Sequence, residues 1–209
     1  VHFVGHVMID NLMYQLDKIG DTAPGELSDS IKSRLPQKYL CMTMHRPSNV
    51  DAKETLEKLV KAVARIGESA PIVFPCHPRT KKNITAFGLD DYFSAIPAGG
   101  PIGPGIYCTE PLGYDDFLYL WKDCAAMLTD SGGLQEETTA LRVPCITMRE
   151  NTERPVTAQI GSNVIVGQDP EKIIEYAHKA LTGTWKESAI PELWDGKASE
   201  RIVDIIRRR

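Results

Sequence analysis

An apolar run from Ala125 to Thr129 breaks at Asp130-Ser131-Gly132-Gly133, resumes as the helix-like Leu134-Gln135-Glu136-Glu137, and is followed after Arg142-Val143 by another apolar run, Pro144 to Met148. Two strands linked through a helix in so few residues form a βαβ unit, whose strands run parallel. The glycines fall where the first strand feeds the helix. There the helix presents unpaired amides and the positive end of its dipole, and the missing Cβ atoms let an anion approach the backbone. Backbone needs alone also place Ser-Gly-Gly in tight turns, so the spacing by itself leaves both readings open. The acidic pair Glu136-Glu137 favours a nucleotide, because a carboxylate one turn into the helix reaches past phosphates toward ribose hydroxyls.

The same alternation extends over most of the chain. Strand-like runs stand at Tyr39 to Met44, Ile72 to Cys76, Ile106 to Thr109, Ala125 to Thr129, Pro144 to Met148 and Asn163 to Val166. Helical stripes lie between most of them, as at Leu56, Leu59, Val60, Val63 and Ile66. The strands are short, apolar and not strictly alternating, which predicts a parallel sheet buried between two helix layers, an α/β architecture. The segment Pro97 to Gly105, PAGGPIGPG, opposes helix and central strand alike and reads as a surface loop, idle or acting as a lid. The chain after Leu181 is irregular up to Asp195-Gly196, and a final helix is predicted over 197–208.

At 209 residues the length fits one sizeable core, and a formal net charge of −4 offers no electrostatic footprint for nucleic acid or an anionic membrane. The terminal Arg207-Arg208-Arg209 reads as a dipole complement at a helix end. Five widely spaced cysteines, Cys41, Cys76, Cys108, Cys124 and Cys145, lack any C-x-x-C pattern. Four fall in predicted strands, which implies buried, reduced thiols and a cytoplasmic setting. No apolar run reaches the length of a membrane span.

Three motifs sit just past predicted strand ends, where open α/β sheets bind ligands: His45-Arg46-Pro47-Ser48-Asn49, His77-Pro78-Arg79-Thr80 and Asp130-Ser131-Gly132-Gly133. Arg149 to Arg154 adds a fourth cluster. Each has a structural alternative; His77-Pro78, for instance, suits the cap and first position of a helix. Together they gather two imidazoles, the guanidiniums of Arg46, Arg149 and Arg154, and a glycine turn on one edge, a setting for an anion. No His-x3-His or Cys/His spacing suggests a metal site, and neither a nucleophile elbow nor a Walker lysine motif occurs.

These residues carry a family resemblance. VGHVMIDNL ending at Leu12, MTMHRPSN, FPCHPRT, EPLGYDDFLYL at Glu110 to Leu120, TDSGGLQEE, RENTERP and DGKASERI at Asp195 to Ile202 together resemble the UDP-N-acetylglucosamine 2-epimerases over nearly the whole chain. The resemblance implies a single Rossmann-like nucleotide-binding domain over 1–209, the carboxyl-terminal half of a GT-B-type fold, with the helix at 197–208 packing toward an absent amino-terminal domain. It implies that Ser131, Gly132 and Gly133 bind the diphosphate, that Glu137 holds the ribose, and that His77 lies beside the nucleotide. His45 matches the family's active-site histidine, Arg154 would neutralise the departing pyrophosphate, and Arg46 and Arg149 join the substrate-binding set. The implied reaction interconverts UDP-GlcNAc and UDP-ManNAc by elimination of UDP to a 2-acetamidoglucal and readdition, without metal or nicotinamide. Cytoplasmic homodimers supplying surface polysaccharide synthesis are the family's usual setting.

The chain departs from the family at Pro47 and Ser48, where the family often reads Arg-Glu, at Val156, where glutamate often follows TERP, and in a longer PAGGPIGPG loop. Any role of the family's glutamate in the active site or in the activating UDP-sugar site of bacterial members therefore does not carry over to Ser48. A hydrolysing relative, a GT-B glycosyltransferase domain and a non-catalytic nucleotide-sugar module are the competing readings. The opening VHFVG and the lack of an initiator Met suggest a fragment of a two-domain protein, inactive by itself because the acid/base carboxylates would lie on the other domain.

Overall fold

A computed structural model describes residues 1–20 and 22–208; Arg209, the last of the three terminal arginines, lies outside the described residues. Seven strands form one sheet: β1 (Leu40–Thr43), β2 (Pro71–Pro75), β3 (Ser94–Ala95), β4 (Gly105–Thr109), β5 (Ala126–Thr129), β6 (Cys145–Thr147) and β7 (Asn163–Ile165). The helices are α1 (Val7–Ile19), α2 (Glu26–Lys32), α3 (Pro47–Val50), α4 (Lys53–Gly67), α5 (Pro78–Ala86), α6 (Tyr114–Trp121), α7 (Gly132–Ala140), α8 (Pro155–Gln159), α9 (Pro170–Thr182) and α10 (Ala198–Arg207).

Every strand pair is parallel, in the order β3-β4-β2-β1-β5-β6-β7. Alternation along each strand feeds two separate cores, as the sequence predicts for a sheet buried on both faces. Leu40, Met42, Ile72, Phe74 and Leu128 face one core, whereas Cys41, Val73 and Met127 face the other. The first core is closed by α4 and α9, and the predicted stripe Leu56, Leu59, Val60, Val63 and Ile66 lies wholly buried in it. The second is closed by α1, α2 and α6, through Ile9, Leu12, Ile31, Leu118 and Trp121. This is a three-layer Rossmann-like α/β fold.

Local chemistry fixes the helix ends. In α9, the Asp169 side chain accepts hydrogen bonds from the N–H groups of Glu171 and Lys172, Pro170 occupies the first turn, and Gly183 stops the helix at φ 76°. The Asp10 carboxylate of α1 accepts from the N–H groups of Ala198 and Ser199, at 3.0 and 2.6 Å, and so anchors the start of α10. Beyond that anchor, Val203 and Ile206 of α10 stay exposed.

Three expectations need adjustment. β3 was not anticipated, because its two residues are exposed and carry no apolar signal. Three cysteines, not four, lie in strands, since Cys76 falls one residue past β2. The 97–105 segment ends early and is tied down: Gly105 already pairs in β4, Arg34 donates to the Pro97 carbonyl at 2.7 Å, and the Ile102 N–H donates to the Arg34 carbonyl at 3.0 Å. Ile102 is buried in the second core, so this loop is held down at that point.

Candidate functional site

The strand order reverses between β1 and β5: the chain builds β2 and β4 outward on one side of β1, then β5, β6 and β7 on the other. Such a reversal splays the loops at the carboxyl ends of the two strands and leaves a crevice. Here the loop after β1 is Met44-His45-Arg46, and the loop after β5 is Asp130-Ser131.

A single carboxylate ties the two loops together. Asp130, fully buried, receives at Oδ2 the N–H groups of His45 at 2.9 Å and Arg46 at 2.8 Å, and the Asn49 side-chain amide at 3.2 Å. Its Oδ1 lies 3.0 Å from Nδ1 of His45, close enough to pair in charge although not aligned as a full hydrogen bond. Burial opposes ionisation of Asp130, but the His45 ring and the two backbone N–H groups outweigh it and hold its pKa below the ordinary carboxylate value. The same carboxylate raises the pKa of His45 above that of a free imidazole. The contact favours a proton on Nδ1 of His45, which leaves Nε2 as the ring nitrogen available to exchange a proton. Asn49 continues the tie to β6 by donating to the Met148 carbonyl at 2.9 Å.

A cavity of about 390 Å³ opens beside this latch. His45, His77, Ser131, Gly133 and Glu137 all line it. His77 caps α5 as the local sequence suggests, its Nδ1 accepting the Arg79 N–H at 3.2 Å, which places the proton of the neutral ring on Nε2. The two imidazole rings stand 6.1 Å apart. Ser131 caps α7 with its backbone alone; no side chain bonds the first-turn amides, so they remain available to an anion. A Cβ built on Gly133 would meet nothing within 4 Å, whereas one on Gly132 would come within 2.6 Å of Glu153 Oε1. Gly133 therefore exposes backbone to the cavity, and Gly132 turns toward the Glu153 carboxylate.

Glu137 is buried and accepts a hydrogen bond from the Tyr114 hydroxyl at 2.8 Å. Burial raises its pKa, the neighbouring Glu136 adds to the effect, and the Tyr114 hydroxyl opposes it. Leu112, Phe117 and Trp121 supply an apolar wall. This is the part that motif reading missed. EPLGYDDFLYL stands out in the sequence, but its aromatic residues read as core until α6 is seen leaning over the crevice.

The three predicted guanidiniums lie on the same edge but not in the wall of the cavity. Arg46 and Arg149 share the Glu153 carboxylate, at 3.4 and 2.7 Å, and Arg46 also donates to the Asp130 carbonyl at 3.0 Å. Arg154 Nε lies 3.0 Å from Oε1 of buried Glu136, which also meets His6 Nε2 at 2.6 Å. Among the described residues, no cluster of three His, Cys, Asp or Glu side chains is arranged to hold a metal ion, and no helix is long and apolar enough to cross a membrane.

A sequence model of the UDP-N-acetylglucosamine 2-epimerase family matches residues 1–207. UDP-N-acetylglucosamine 2-epimerases of Methanococcus maripaludis and Methanocaldococcus jannaschii are each 37% identical over 210 residues, covering 99% of this chain and 54% of theirs. A crystal structure of the Methanocaldococcus jannaschii UDP-GlcNAc 2-epimerase in complex with UDP-GlcNAc and UDP is 36% identical and superposes with a TM-score of 0.80, covering 100% of this chain and 55% of that one. The chain spans about half the length of the curated relatives it matches.

Proposed function

The chain belongs to the UDP-N-acetylglucosamine 2-epimerase family, and from that premise we propose that it is the UDP-binding, carboxyl-terminal half of an enzyme interconverting UDP-GlcNAc and UDP-ManNAc. The observation that carries this reading is one cavity bordered by uncapped α7 amides, a buried carboxylate one turn further on, and two histidines. In this reading the Ser131 hydroxyl and the amides of Gly132 and Gly133 receive the diphosphate. Glu137 accepts from the ribose hydroxyls, and His77 flanks the nucleotide. The apolar wall of Leu112, Phe117 and Trp121 suits the uracil face. Arg46, Arg149 and Arg154 add positive charge around the mouth, and Arg154 moves from Glu136 toward the pyrophosphate as UDP leaves.

The chemistry asks two things of the protein. The bond from sugar carbon 1 to the UDP oxygen breaks as the carbon 2 proton departs, and the charge growing on UDP is stabilised by fixed amides and cations. His45, oriented by Asp130, acts on a proton in the crevice. The base for carbon 2 comes from an amino-terminal domain, toward which the exposed Val203 and Ile206 of α10 pack. The 209-residue chain alone therefore binds UDP weakly and produces no epimer. The full-length protein is a homodimer on this reading.

Calorimetric titration of UDP into the chain, compared with Ser131→Ala and His77→Ala, tests the site. Hydrogen bonds to a charged group contribute about 1.5–3 kcal/mol, so each substitution is expected to weaken binding about tenfold or more. Unchanged affinity in both variants overturns the assignment. Proton exchange at carbon 2 in heavy water, absent with the chain and present once a complete two-domain enzyme is assembled, separates epimerisation from glycosyl transfer.

A further inference from the structure

A second cavity, of about 650 Å³, opens past the ends of β2 and β4, on the far side of His77 from the latch, and two thiols line it. Cys108 pairs with Phe74 across the two strands, and the N–H of Cys76 donates to the Thr109 carbonyl at 3.0 Å. Alternation places Phe74, Cys76 and Cys108 on the same face of the sheet, against the same core. Both thiols are free, and that of Cys76 donates to the His77 carbonyl at 3.8 Å. Lys81 and Lys82 of α5 line the same cavity, opposed by Asp90 and Glu110.

This environment differs from that of the other three cysteines. Cys41 and Cys145 are fully enclosed and Cys124 is buried, whereas Cys108 is partly open to the cavity. The neighbouring Cys76 thiol and Lys81 lower the pKa of Cys108 against its burial, while the Cys108 neighbour and burial push that of Cys76 up. Reactive thiols occur in partly exposed sites near cations, and buried apolar ones are inert.

We propose that Cys108 and Cys76 form a peroxide-reactive dithiol, with Cys108 as the attacking sulfur and Cys76 as the resolving one. The Cys108 thiolate attacks one peroxide oxygen and the O–O bond breaks, giving a sulfenic acid and hydroxide, which takes a proton to become water. The Cys76 sulfur then displaces that hydroxyl as a second water, losing its own proton, so that two thiols and one peroxide yield one disulfide and two waters. Diagonal neighbours on adjacent strands, about 7–8 Å apart, stand beyond the usual disulfide span, so the bond closes only if the end of β2, and with it His77, moves toward β4. Neither thiol lines the nucleotide cavity, so failure here leaves the UDP reading standing.

The test is peptide mapping of the native chain. At pH 7 a limiting dose of iodoacetamide is expected to label Cys108 at least about tenfold faster than Cys41, Cys124 or Cys145. Stoichiometric hydrogen peroxide is expected to join the peptides containing Cys76 and Cys108 and to leave the other three thiols alkylatable. In Cys76→Ser the bridge is lost, and dimedone traps a sulfenic acid at Cys108. Labelling of Cys108 no faster than of Cys124, or a wild-type pair left reduced by peroxide, overturns the proposal.

Discussion

Replacing Gly133 by alanine separates what the α7 amino terminus contributes to the fold from what it contributes to a ligand. Gly133 sits in the first turn of α7, its φ outside the left-handed region, and an added Cβ meets no atom within 4 Å. For the empty protein, alanine is then the better residue. It reduces the freedom of the unfolded chain and favours helix, a gain of about 0.4–1 kcal/mol. In a chain of this size that raises the melting temperature by about 1–4 °C. The open space is, however, the space an incoming phosphate would occupy, so the methyl blocks close approach to the amides. Losing one charge-assisted hydrogen bond costs about 1.5–3 kcal/mol, a tenfold or greater loss of UDP affinity. Thermal unfolding and calorimetric titration on one preparation read both quantities. A more stable variant with undiminished affinity would refute the placement of phosphate at Gly133, and a less stable one would refute the reading of open space.

The remaining predictions concern charge. His45 has a raised pKa in the folded state, so its contribution to stability is complete below the unfolded value of about 6.5 and is lost as pH rises through the folded one; His45→Gln should flatten that limb of melting temperature against pH between about 6 and 8. Asp130 has a lowered pKa, and its contribution, present above about 3.9, should be lost as pH falls through the folded value. Glu137 is the reverse case for a carboxylate: with its pKa raised chiefly by burial, the stability its protonated form contributes is lost as pH rises through the folded value, which leaves the cost of a buried charge above it. Glu137→Gln should therefore melt no lower than wild type at pH 7, lose that advantage near pH 4, and bind UDP more weakly; a lower melting temperature at pH 7 would contradict this.

The layers of the fold were legible because period-two and period-3.6 patterns report burial directly, and nearly every strand of this sheet is buried on both faces. β3 escaped because Ser94 and Ala95 are held by backbone pairing with β4 and hide no apolar surface. At the site, His45, His77, Ser131, Gly133 and Glu137 could be grouped from sequence, since each follows a strand end and all such ends share one edge. Asp130 could not be singled out, because an aspartate before Ser-Gly-Gly looks like a turn former and its donors come from residues more than eighty positions away. Tyr114 and the wall of α6 were hidden for a similar reason: aromatic spacing on a helix carries no information about which neighbour the helix overhangs. The arginines were placed on the right edge, but sequence does not show that Glu136 and Glu153 already occupy them.

The Asp130 latch bears on how a ligand arrives. One enclosed carboxylate bonds the backbone on the far side of the crevice and reaches Met148, just past β6, through Asn49, so the two lips are tied together. On the proposed reading, a nucleotide would meet a width fixed before it enters and need not organise the lips itself, which would lower the entropic toll of binding and favour capture in a single kinetic phase. At the rim, Arg46, Arg149 and Arg154 are held by Glu153 and Glu136, and on the proposed reading they would have to release these carboxylates to turn inward. The site is thus rigid at its floor and exchangeable in charge at its mouth.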